Sequence, residues 1–283
     1  MLGQRIVTAI VLLAIVAGAL AAPGHRPLLL LLIVIAGAAL WEWIRLVLPS
    51  SAWPRRLIPL ACVLLMLFLS ESWLRAGPGQ APAWAPLFER GLVPLAALFW
   101  VVPATAMVLR ARPLPPFGPR VLAGCAVLAV LAVWYALARI YLDFGAQCLL
   151  SLLALIWCAD IAAYFTGRAL GRRKLAPRVS PGKTWEGAAG GVAAATAWLA
   201  ATAWCWPESY GARLLELGSP AWVIVAGILL AGWSIIGDLF ESLLKRRAGV
   251  KDSSRLLPGH GGMYDRIDAV MPVAPIALLL LVF

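Results

Sequence analysis

Charge is scarce in this chain, and acidic charge scarcest. Only 13% of the 283 residues are charged, and 13 Asp and Glu face 24 Lys and Arg. Soluble domains carry about 25% charge and about 45–50% apolar residues; here 63% are hydrophobic and the mean hydropathy is +0.89. That shortage leaves no room for a sizeable soluble domain. Cysteine is also sparse. Cys62, Cys125, Cys148, Cys158 and Cys205 stand singly in or beside apolar runs, with no CxxC pair, which excludes a disulfide framework or a zinc site. Alternating polar and apolar residues are missing from the long apolar runs, so a membrane barrel is excluded and helices remain. No internal repeat is visible, which argues against the inverted-repeat build of many transporters.

What is present is a series of apolar runs over 5–22, 27–48, 56–74, 91–109, 120–138, 145–166, 185–206, 220–240 and 268–283. They predict an all-α polytopic membrane protein of nine spans. Pro- and Gly-rich stretches at 75–86 and 110–119 read as loops. The N-terminus resembles a secretory signal, with Arg5, an apolar run and Ala19-Leu20-Ala21. A retained first span is the expectation, because another membrane segment follows it. With the N-terminus placed inside, 19 of the 24 basic residues fall in inner loops: Arg5, then Arg45, Arg55 and Arg56, then Arg110, Arg112 and Arg120, then those of 167–184 and 241–267. Arg26, Arg75, Arg90, Arg139 and Arg213 fall outside. The asymmetry predicts a cytoplasmic N-terminus. It also accounts for the net charge of +11 without nucleic acid, which would need a basic stripe on a soluble face.

The chain divides at about residue 138. Residues 1–138 hold about five spans, and 139–283 hold a region with two inner polar loops, 167–184 and 241–267. Seven acids lie near inner span ends: Glu42, Asp160, Glu186, Asp238, Glu241, Asp265 and Asp268. Acids in spans cost about 2.5–3.5 kcal/mol each on insertion scales, and their collection on one side predicts a polar site open to the cytoplasm. Asp238, Glu241, Ser242 and Lys245 are spaced i, i+3, i+4 and i+7, hence on one helical face. Two carboxylates some distance apart, with several cations, suit Mg²⁺ bound jointly with phosphates. Lys and Arg suit the phosphate oxygens. In LPGHGGMYDRID (257–268), Gly259, Gly261 and Gly262 would let backbone N–H groups approach an anion. His260 is open between hydrogen bonding there and acid–base work. In the other loop, Gly182-Lys183-Thr184 resembles a phosphate-binding P-loop, but Pro177 stands where its first glycine is required and no strand is expected before it. Ser180, Lys183 and Thr184 remain candidates for phosphate at the start of the seventh span.

The 27 residues SLLKRRAGVKDSSRLLPGHGGMYDRID, Ser242 to Asp268, resemble the signature of the phosphatidate cytidylyltransferases (CDP-diacylglycerol synthases). The upstream KLAPRVSPGKTWEG and the opening MLGQRIVTAIVLL are similar to that family too. The resemblance implies transfer of cytidylyl from CTP to phosphatidic acid, giving CDP-diacylglycerol and pyrophosphate. It further implies a divalent cation, with a second cation left open, a homodimer, and a site facing the cytoplasm from a bacterial inner membrane. On this expectation Asp238 and Asp265 hold metal, Asp268 or Asp160 supports them, and Lys245 and Arg246 neutralise pyrophosphate. Ser180, Lys183, Thr184, Ser242, Lys251, Gly259, His260, Gly261, Gly262 and Arg266 bind substrate. An ether lipid phosphate as acceptor stays an alternative, and transport a remote one. The CDP-alcohol phosphatidyltransferases are excluded, because their pattern needs an Asp-Gly pair and this chain has none.

Overall fold

The computed structural model describes residues 2–48, 53–77, 80–110 and 118–283. Arg112 lies outside the described residues, as does the side chain of Arg5. Helices α1 (Leu2–Ala21), α2 (Arg26–Val47) and α3 (Pro54–Ala76) come first, followed by α4 (Ala85–Arg110), which contains π-helical turns at Phe88–Leu92 and Trp100–Ala104. Next come α5 (Pro119–Leu170), a hairpin of β1 (Lys174–Ala176) and β2 (Ser180–Thr184), and α6 (Trp185–Cys205). The chain ends with α7 (Tyr210–Leu217), α8 (Pro220–Arg247), α9 (Tyr264–Ile267) and α10 (Val270–Val282). This is an all-α integral membrane fold apart from the hairpin. Several helices begin where the local chemistry favours it. Pro occupies the first turn of α2, α3, α5 and α8, where no N–H is needed. The Thr184 and Ser219 hydroxyls accept N–H groups at the starts of α6 and α8.

Six helices among the described residues are long and apolar enough to cross a bilayer: α2, α3, α4, α5, α6 and α8. The nine runs read from the sequence do not map onto these one for one. The runs 120–138 and 145–166 are the two helical rods of α5, which meet at Gly145, where the backbone leaves helical geometry (φ 85°, ψ 174°). α1 has 20 residues, and α10 has 13, which by itself is short of a full crossing.

The hairpin corrects the expectation that no strand precedes α6. Its strands pair antiparallel, Lys174 with Thr184 and Ala176 with Ser180, across an irregular register. Strands of three and five residues containing Pro181 and Gly182 are too short to show alternation. Val179, at the turn, is buried, and its carbonyl accepts from Arg246 Nε at 3.3 Å, which fastens the hairpin to the end of α8.

Association of helices in lipid relies on close packing, since lipid tails are as apolar as the side chains. α5 and α6 meet through small residues: a Cβ on Gly191 would come within 2.8 Å of the Ala159 carbonyl. One aromatic cluster lies between α2, α4, α8 and α9. Trp43 stacks on Tyr264 at 5.1 Å and tilts against Phe240 at 5.4 Å, while Trp100 meets Phe240 edge-on at 5.2 Å. All four side chains are fully buried. This cluster ties an N-terminal helix directly beneath the 257–268 turn.

Candidate active site

The face of α8 read from spacing forms as expected locally. Ser242 Oγ donates to Asp238 Oδ1 at 3.4 Å, and Lys245 Nζ lies 2.6 Å from Glu241 Oε2. Beyond α8 the chain turns back on itself. Leu257 N–H donates to the Gly261 carbonyl at 2.8 Å and His260 N–H to the Leu257 carbonyl at 2.9 Å. Gly259 (φ 76°) and Gly261 (φ 86°) take left-handed conformations that side-chain-bearing residues resist. The turn feeds α9, which carries Asp265 and Arg266 and delivers Asp268 to the foot of α10.

Asp265 is enclosed by donors. Its Oδ1 accepts from Lys245 Nζ at 2.7 Å; its Oδ2 accepts from Gly262 N–H at 2.7 Å, Ser253 N–H at 3.1 Å and Ser253 Oγ at 3.0 Å. Burial works to raise its pKa, yet the Lys245 side chain and the Gly262 N–H hold it below the usual carboxylate range. The acids that converge are Asp238, Glu241 and Asp268, each offering one oxygen within 4.8 Å of the others. Glu241 is 1% exposed, and its Oε1 has no hydrogen-bond partner among the described residues. Buried carboxylate oxygens ordinarily find a donor or a cation. Carboxylate oxygens, completed by waters and substrate phosphates, are the donors that Mg²⁺ takes, so these residues fit the expected cation.

Lys183 of β2 ion-pairs with Asp238 Oδ2, bringing the hairpin onto α8. Beside this pair lies a cavity of about 520 Å³ between α5, the hairpin, α6 and α8. Asp160, Ser180, Lys183, Thr184 and Asp238 line it with apolar Ala159, Ala163, Leu175, Ala231 and Ile235. The expected substrate residues therefore divide. Ser180, Lys183 and Thr184 reach the cavity, although Thr184 Oγ1 also accepts the Gly187 N–H at 3.1 Å as the cap of α6. Lys251, Arg246 and Arg266 are exposed. His260 Nδ1 is enclosed without a hydrogen-bond partner among the described residues. Of the seven acids expected on the inner side, Glu186 stands apart, accepting the N–H groups of Arg172 and Arg173 at 3.0 and 3.2 Å.

Residues 3–283 match the sequence profile described as the cytidylyltransferase family. The chain belongs to that family. Among similar proteins, the phosphatidate cytidylyltransferase of Pseudomonas aeruginosa is 38% identical over 99% of this chain and 97% of its own length. That of Haemophilus influenzae is 34% identical over 97% and 96%. That of Brucella suis is 49% identical over 138 residues, 48% of this chain and 47% of its own. For a cytidylyltransferase the site has the necessary division of labour. Carboxylates gather at one point, ammonium groups flank them at Lys183 and Lys245, and a cavity with an apolar wall opens beside them.

Proposed function

We propose that the chain transfers cytidylyl from CTP to phosphatidic acid, forming CDP-diacylglycerol and releasing pyrophosphate. A phosphate oxygen of the lipid attacks the α-phosphorus of CTP, and the bond from that phosphorus to the β-phosphate bridging oxygen breaks. The attacking group is already an anion, so no strong base is required, and catalysis rests on positioning and charge neutralisation. The observation that carries the reading is the convergence of Asp238, Glu241 and Asp268 beside Lys183, with Asp238 and Lys183 lining a cavity with an apolar wall. A Mg²⁺ held by Asp238, Glu241 and Asp268 would neutralise phosphate charge and orient the triphosphate. Lys183, already directed at Asp238, meets the phosphates from the hairpin side. Asp265, saturated by donors, holds Lys245 and the glycine turn in place.

The same reading orients the protein. Counting the two rods of α5 separately and adding α1 and the run from α9 through α10, joined by Asp268 and Ala269 in helical geometry, gives nine crossings. The basic inner loops then favour the N-terminus and the site in the cytoplasm of a bacterial inner membrane, where CTP is available. The region 139–283 supplies the chemistry and 1–138 its frame, in an assembly of two chains. Purified protein in detergent, given labelled CTP, phosphatidic acid and Mg²⁺, is expected to yield labelled lipid and pyrophosphate in equal amounts. Absence of both products sinks the assignment.

A further inference from the structure

Glu42, in the N-terminal half, is 0% exposed near the end of α2. An acid within a membrane helix is a costly placement that calls for specific partners. The cation one turn along is not that partner, because Arg45 lies over the Trp41 ring, 4.8 Å from its centre. Both Glu42 oxygens instead face the segment 253–264. Oε1 accepts from Ser254 Oγ and, at 3.0 Å, from Met263 N–H. Oε2 accepts from Ser253 Oγ at 2.8 Å and Tyr264 N–H at 2.7 Å. The two backbone donors belong to the turn that opens α9, immediately before Asp265. Ser253 Oγ also contacts Asp265 Oδ2 at 3.0 Å, so one hydroxyl proton is shared between two carboxylates. A Cβ at position 262 would collide with Ser253 Oγ and the Glu42 carboxylate, so the fit tolerates only glycine there.

We infer that Glu42 is a positioning residue for the transfer reaction: it fixes the turn that presents Asp265 and Asp268 to Lys245 and Asp238, without itself touching substrate. The inference rests on the function proposed above. It extends the working site into the half of the chain that otherwise reads as an anchor.

Glu42→Gln in the full chain tests it. Each Glu42 oxygen serves one hydroxyl and one backbone N–H. A hydroxyl can rotate to accept from the new amide, but an N–H cannot, so either orientation leaves two donors facing each other. Loss of one such bond to a charged group is expected to lower kcat about 10- to 100-fold, with KM for CTP within about three-fold. Amide hydrogen exchange across 253–265 is expected to accelerate while α3 keeps its wild-type rates. A folded variant with wild-type kcat overturns the inference, even if its melting temperature falls, because that outcome describes a merely structural bond. If Glu42→Gln does not fold, Ser254→Ala decides, because that hydroxyl reaches Glu42 and not Asp265: a kcat lowered about tenfold supports the inference, and an unchanged kcat overturns it. If the wild-type protein itself makes no lipid product, the functional reading fails instead. The exchange measurement then decides the anchoring alone, with unchanged protection of 253–265 counting against it.

Discussion

Asp265→Asn separates a residue that holds the loop from one that holds a cation. The carboxylate accepts at both oxygens, and asparagine retains only one. If its oxygen replaces Oδ2 and keeps Gly262 and Ser253, the new NH₂ faces the Lys245 ammonium now 2.7 Å away. If it flips, the NH₂ meets the Gly262 N–H instead. A hydrogen bond to a charged group contributes about 1.5–3 kcal/mol and a buried orphaned donor costs about 1–3 kcal/mol. Either orientation therefore withdraws about 2–3 kcal/mol from the arrangement of the loop. If that arrangement is what the transition state uses, turnover falls roughly 30- to 160-fold. The assay is pyrophosphate release at saturating CTP, on protein that remains monodisperse in detergent. The Mg²⁺ dependence is read in the same experiment beside Asp238→Asn. A residue that only holds the loop leaves the half-activating Mg²⁺ concentration within about two-fold, whereas Asp238→Asn raises it much further. Turnover within about three-fold of wild type would refute the reasoning. So would a Mg²⁺ shift matching that of Asp238→Asn, which would put Asp265 on the cation.

Two further outcomes are expected. Lys183→Met removes the cation paired with Asp238, both side chains being partly exposed at 26% and 34%; the melting temperature should barely move, since such pairs contribute about 0–1 kcal/mol, while KM for CTP rises. An unchanged KM would remove Lys183 from the phosphate site. Among the cysteines, Cys205 at the end of α6 is exposed, whereas Cys62 and Cys148 are buried. A membrane-impermeant maleimide added to intact spheroplasts should label Cys205, and labelling confined to inside-out vesicles would reverse the proposed orientation.

The helical face of α8 was legible because a period of 3.6 residues is written into Asp238, Glu241, Ser242 and Lys245 without reference to any other part of the chain. The glycine turn was legible for a similar reason, since Gly259 and Gly261 mark left-handed backbone locally. Glu42 was visible only as an acid in an apolar helix. Its partners lie more than two hundred residues away, and no pattern in the intervening chain announces them. The division among carboxylates was equally hidden: Asp265 and Asp268 look alike in sequence, and only the surrounding donors, Ser253 N–H, Gly262 N–H and Lys245, distinguish them. The hairpin escaped because strands this short rely on tertiary support, here the buried Val179 and the reach of Arg246, rather than on their own alternation.

The Glu42 contacts also bear on how the protein is made. Glu42 and its partner Tyr264 are 222 residues apart. At about 5–20 residues per second, translation leaves the helix bearing Glu42 in the membrane for roughly 10 to 45 s before those donors emerge. For that interval a bare acid must stay near the lipid headgroups or borrow a temporary partner, and α2 cannot take its final depth. The first half of the chain thus waits, incompletely seated, for the last turn to be synthesised and lock it in place.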